Sequence, residues 1–154
     1  MSAGSLVAHP STIAALVVLV ANDHWAKARW PGLITGKLSD FAGLVLAPTL
    51  IVATMELLAR RPLRARVTFA TTLIVGIGFA LVKTWAPATE VYRSWWGWLS
   101  HPIDAVIAVA HALAPSLCVA SAGPHRVQIA RDPTDLVALV ALGVPVAIAK
   151  RARA

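Results

Sequence analysis

The sequence predicts an all-α integral membrane protein with four transmembrane helices plus one interfacial or re-entrant helix, in a single domain over residues 1–154. Three observations carry this. Only 14% of the residues are charged and 58% are hydrophobic, against about 25% charged in an ordinary soluble domain. Apolar runs close to spanning length recur along the chain. The cations cluster between and after those runs: Arg60, Arg61, Arg64 and Arg66 in one connection, and Lys150, Arg151 and Arg153 at the end.

The first apolar run covers roughly Pro10 to Ala28, the second Ser39 to about Ala59, the third Val67 to Val82 and a little beyond, and the last Asp135 to Ala149. A span needs about 20 residues, with 17 as a practical minimum. The second run fits easily. The last is short and is expected to tilt or to thin the bilayer. A fifth run, Pro102 to Val119, is alanine-rich, carries Asp104 and His111, and is broken by Pro115.

Orientation follows from two independent signals. The arginine-rich connection between the second and third runs marks that side as cytoplasmic. All six tryptophans (Trp25, Trp30, Trp85, Trp95, Trp96 and Trp98) fall in the connections after the first and third runs. Tryptophan favours the membrane interface because its ring is apolar and its N–H wants water. If the fifth run does not span, Lys150, Arg151 and Arg153 also fall inside. Four spans with both termini cytoplasmic are therefore preferred, with a long outer loop from Lys83 to Pro133. Five transmembrane helices are the alternative.

The net charge of +7 then reads as topology signal and headgroup contact, and no nucleic-acid partner is expected. The lone Cys118 excludes an internal disulfide and a multi-cysteine metal site. A cleavable leader is not expected, because the N-terminus lacks a basic n-region. No Walker loop, nucleophile elbow, HExxH, CxxC or dinucleotide fingerprint occurs in the chain. The residues thus name no reaction, cofactor or metal.

Helix starts repeat a pattern. His9-Pro10-Ser11-Thr12, His101-Pro102-Ile103-Asp104 and Asp132-Pro133-Thr134-Asp135 each place a proline before polar residues and an apolar run. Proline at the first helical position loses nothing, and a hydroxyl or carboxylate just after it can cap. Lys37-Leu38-Ser39-Asp40 repeats this without proline, with Ser39 or Asp40 as the expected cap. Asp40-Phe41-Ala42-Gly43-Leu44-Val45 also matches Asp135-Leu136-Val137-Ala138-Leu139-Val140 in part, which fits a parallel two-plus-two repeat.

The candidate binding cluster is drawn from these polar ends: Asn22, Asp23, His24, Lys27, Lys37, Ser39, Asp40, Asp104 and Asp135. Asp23 and Lys27 stand four apart and can pair on one helical face, as can Lys37 and Asp40 at three apart. The bland reading is a frayed helix end followed by a cap with a snorkelling lysine. Against it, ionisable groups at membrane depth are costly, and the short connection from His24 to Asp40 puts both stretches on one surface. His101, Asp104 and His111 fall within an arc of roughly 80° on a helix. Glu56 is expected to pair with Arg60 at the cytoplasmic surface. A lipid-headgroup or divalent-ion site at the outer surface is the favoured reading, with carboxylates as ion ligands, His24 as acid or base and Lys37 for phosphate. The alternatives are an accessory or structural subunit of a membrane complex, or a small transporter subunit. The expected partners are the lipid bilayer and other membrane proteins or further copies of the chain.

The stretches Asn22-Asp23-His24, Lys27 and Thr35-Gly36-Lys37-Leu38-Ser39-Asp40-Phe41-x-Gly43-Leu44, with the late Asp132-Pro133-Thr134-Asp135-Leu136, resemble a family of small multi-pass bacterial membrane proteins without an assigned activity. The resemblance covers residues 22–48 and 132–140. It implies a bacterial inner-membrane setting and implies nothing about a reaction.

Overall fold

The computed structural model describes residues 6–30, 32–96, 98 and 131–151. All regular structure among them is helical. Helix α1 spans Pro10–Ala21 and continues through a π-turn, Asn22–Ala26, into a last short turn, Lys27–Arg29. Helix α2 is Leu33–Ala59, α3 is Ala65–Thr84 and α4 covers residues 86–96. A 3₁₀ helix, Pro133–Leu142, runs directly into α5, Gly143–Arg151. Three of these helices are long and apolar enough to cross a membrane: Leu33–Ala59, Ala65–Thr84 and the composite Pro133–Arg151. The expected fifth run, with Asp104, His101 and His111, lies outside the described residues.

The described residues fall into two compact units, Met1–Ala80 with Pro133–Ala154, and Leu81–Asp132. In the first, α2 is the central helix. Ala15 of α1 and Ala138 and Ala141 of the 3₁₀ helix pack with Leu44, Val45 and Leu46 of α2, and Val75 and Phe79 of α3 close over them. A second cluster joins Leu6, Val52, Ile148 and Ala149. The contacts set the helix directions. Leu6 lies by the far end of α2 while Asn22 reaches its start, so α1 runs antiparallel to α2. Asp135 touches Lys37 near the start of α2 and Ile148 joins Val52, so the 3₁₀ helix and α5 run parallel to it.

Polarity is distributed in the opposite sense to that of a water-soluble bundle. Buried positions include Thr12, Asn22, Thr49, Glu56, Thr68, Thr72 and Asp135, whereas Val17, Ile34, Leu57, Ile74 and Val140 stand more than half exposed. Side chains of small volume dominate the interior, and the large aliphatic ones face out. That suits a hydrocarbon surrounding, where packing and internal hydrogen bonds rather than water exclusion hold helices together.

Several boundaries differ from the sequence expectation, each for a local reason. Helix α2 starts at Leu33, not at Ser39. Its start is set by the Thr35 hydroxyl, which accepts the Gly32 N–H at 3.2 Å, half of a capping box. Ser39 and Asp40 therefore sit in the helix interior and are not caps. Pro48 lies inside α2, where it removes one backbone bond, and the neighbouring Thr49 hydroxyl donates to the carbonyls of Val45 and Leu46 at 2.9 and 2.8 Å. At the other end Arg60 adopts a left-handed φ of 51°. The N–H groups of Arg60 and Arg61 reach the carbonyls of Leu57 and Glu56, the pairing of a Schellman cap. Glu56 is not a surface group: it is 2% exposed, and its Oε1 accepts the Leu63 N–H at 3.0 Å. The carboxylate closes the α2–α3 turn.

At α1 the cap is the His9 imidazole, whose Nδ1 accepts the Ser11 N–H at 3.2 Å, with Pro10 in the first turn as the pattern implied. The hydroxyl of Thr12 instead donates to the Leu6 carbonyl at 2.8 Å. The last run, short in residue count, gains length from its form. A 3₁₀ helix rises about 2.0 Å per residue against about 1.5 Å for α, so the composite reaches roughly 33 Å, enough for a hydrocarbon core of about 30 Å. That difference in helix type separates it from α2 around Asp40 and Asp135, although the two run parallel as the repeat reading expects.

In the second unit Thr89 is buried and its hydroxyl donates to the Val82 carbonyl at 2.7 Å. Arg93 pairs with Glu90 at 2.8 Å. Tyr92 stacks on Trp96 at 6.3 Å between ring centres, and Trp85, Trp95 and Trp98 are exposed.

Candidate functional site

Thr35 and Ser39 are four residues apart on α2 and share a face; Lys37, about 200° round from each, takes the opposite one. The two faces meet different neighbours. On the Thr35–Ser39 face stands the π-turn of α1. Asn22, 2% exposed, donates from Nδ2 to the Thr35 carbonyl at 2.6 Å and to Ser39 Oγ at 2.7 Å. The Ser39 hydroxyl in turn donates to Asp23 Oδ1 at 2.6 Å. Lys27 Nζ lies 2.7 Å from the same carboxylate oxygen. One chain of contacts thus runs from the Thr35 backbone through Asn22, Ser39 and Asp23 to Lys27.

Beside this chain, Trp25 and Trp30 meet edge to face at 5.6 Å, and the Arg29 guanidinium lies 5.4 Å from the Trp25 ring centre. His24 is exposed.

On the other face of α2, Lys37 Nζ donates to Asp135 Oδ1 at 2.9 Å and to Thr134 Oγ1 at 2.6 Å. The Lys37 and Asp135 side chains are 26% and 11% exposed. This is the contact that registers the 3₁₀ helix against α2. The lysine reaches a partner 98 positions away, a pairing that local spacing does not suggest.

Of the residues singled out in the sequence, Asn22, Asp23, Lys27 and Ser39 share the first network, and Lys37 and Asp135 share the second. Asp40 is partly buried in the same stretch of α2. Asp104 lies outside the described residues. The sequence reading quoted Thr35 and Thr134 in its motifs but left them, with Arg29, out of the binding cluster. The signal for Thr35 was its four-residue spacing from Ser39, and that for Thr134 its adjacency to Asp135. Arg29 was signalled by its place between two tryptophans. Among the described residues no three histidine, cysteine or acidic side chains gather as a metal-ligand group. No protein-family model, curated protein or solved structure matches the chain.

Proposed function

We propose that this chain is a bacterial inner-membrane protein whose polar collar, at the outer ends of α1, α2 and the 3₁₀ helix, binds a phospholipid headgroup. The observation that carries the reading is the presentation of both charge signs at one end of an apolar bundle, as Asp23 with Lys27 and Lys37 with Asp135. A zwitterionic or anionic headgroup exchanges into such pairs, its phosphate toward a lysine. Trp25, Trp30 and Arg29 beside the first pair suit headgroup level. A divalent ion fits less well, since each of these carboxylates already faces a lysine.

The topology that supports this reading has four spans, α1 with its π-turn being the first, and both termini cytoplasmic. The arginines after α2 then lie inside, in keeping with the positive-inside bias. Because α5 ends near Val52 rather than near Lys37, Lys150 and Arg151 fall on the arginine side. A fifth span between α3 and the 3₁₀ helix would start the latter on the arginine side, away from Lys37. Periplasmic labelling of a cysteine placed at residue 152 would refute the arrangement.

The headgroup reading is tested by mass spectrometry of the protein released from mild detergent with defined phosphatidylethanolamine and phosphatidylglycerol. Retention of one class over the other, lost in Lys27→Ala or Lys37→Ala, supports it. Equal retention of both classes, or no change in either variant, overturns it.

A further inference from the structure

The amide of Asn22 is oriented without ambiguity. Its two N–H bonds are both spent, on the Thr35 carbonyl and on Ser39 Oγ. A flip would set oxygen against the Thr35 carbonyl oxygen, so Oδ1 is fixed on the other side. That oxygen is buried and has no hydrogen-bond partner. A buried carbonyl oxygen left without a donor is costly, and such an atom in a well-packed protein points to something that meets it.

Ser39 Oγ links this amide to a carboxylate: it accepts from Asn22 Nδ2 and donates to Oδ1 of the next residue, Asp23, which Lys27 also meets. The segment Asn22–Ala26 is a π-turn interrupting the first helix. Single π-turns collect at functional sites, and interrupted helices in membrane proteins supply oxygens to alkali cations. The oxygens here carry one carboxylate charge, which Lys27 already balances through Oδ1. A divalent ion prefers more negative charge than that.

We propose that the junction of the π-turn with the first turns of α2 is a binding site for a small monovalent cation such as Na⁺, with Asn22 Oδ1 and the Asp23 carboxylate among its oxygens. The proposal goes beyond the headgroup reading and does not require it, though the two share the Asp23–Lys27 pair. Occupancy ties α1 to α2 at the collar and supplies the missing partner of Asn22.

The test is thermal unfolding of the purified protein in one non-ionic detergent, in chloride salts of Li⁺, Na⁺, K⁺ and N-methylglucamine at equal ionic strength. The midpoint is expected to rise saturably by roughly 5 °C or more in the preferred alkali cation over N-methylglucamine. In Asp23→Asn the concentration giving half of that rise should increase at least tenfold. Equal midpoints in all four salts mean that water alone meets Asn22, and overturn the proposal. An undiminished response in Asp23→Asn overturns the ligand assignment. No lipid is varied, so a failed headgroup test and a failed cation test remain distinct results.

Discussion

Consider Asp135→Asn, Lys37→Met and the two together. Asp135 sits in the first turn of the 3₁₀ helix, where a capping role would make asparagine nearly neutral, since it caps about as well as aspartate. The structure sets a different expectation. The Asp135 side chain is 11% exposed and holds Lys37 at 2.9 Å. Two unit charges about 4 Å apart at an effective dielectric of about 20 attract by roughly 4 kcal/mol. Desolvation of both groups offsets much of this, and the quarter-exposed lysine is further screened. A coupling of about 2 kcal/mol is what remains. Asp135→Asn should then cost about 2 kcal/mol, and Lys37→Met about 3 kcal/mol because it strands a buried acid. The double variant should cost about 3 kcal/mol rather than the additive value of about 5. Reversible unfolding in sodium dodecyl sulfate mixed micelles, followed by helical circular dichroism, measures all three. Single effects that add to within about 0.5 kcal/mol would refute the pairing, and a neutral Asp135→Asn would restore capping as the explanation.

Two further outcomes are expected from the same structure. Ser39→Ala should destabilise by about 1–2 kcal/mol in the same unfolding assay, because it strands hydrogen bonds to Asn22 and Asp23; a stabilising result, as alanine's higher helix propensity alone would give, would show those bonds to be inert. At Gly76 an added Cβ would lie 2.6 Å from Leu142 Cδ1, the movable end of a side chain, so Gly76→Ala should stay within about 1 kcal/mol while Gly76→Leu costs about 2 kcal/mol or more.

Composition and run length alone determined that the chain is helical and apolar enough to cross a membrane, because a low density of charge over about 20 residues is a property of segments and needs no fold. The clustering of arginines and the placing of polar residues at segment ends were equally local, so most of the candidate site residues were legible one by one. Asp23 and Lys27, four apart, pair as their spacing proposed, but the other partners were not legible. Lys37 has Asp40 within helical reach, and spacing proposes that pair; only the parallel packing of the 3₁₀ helix on α2 brings Asp135 to it. Ser39 reads as a cap because an apolar run starts there, yet the Thr35 hydroxyl closes the helix on Gly32 and carries it six residues further back. Glu56 reads as a surface acid beside Arg60, until the left-handed turn at Arg60 folds Leu63 onto it. Ser39 and Glu56 were decided by backbone turns that residue type at fixed spacing does not reveal, and Lys37 gained a partner that only tertiary packing supplies. A polar group removed from water takes whatever partner the neighbouring helix supplies, and the identity of that helix is written nowhere in the segment itself.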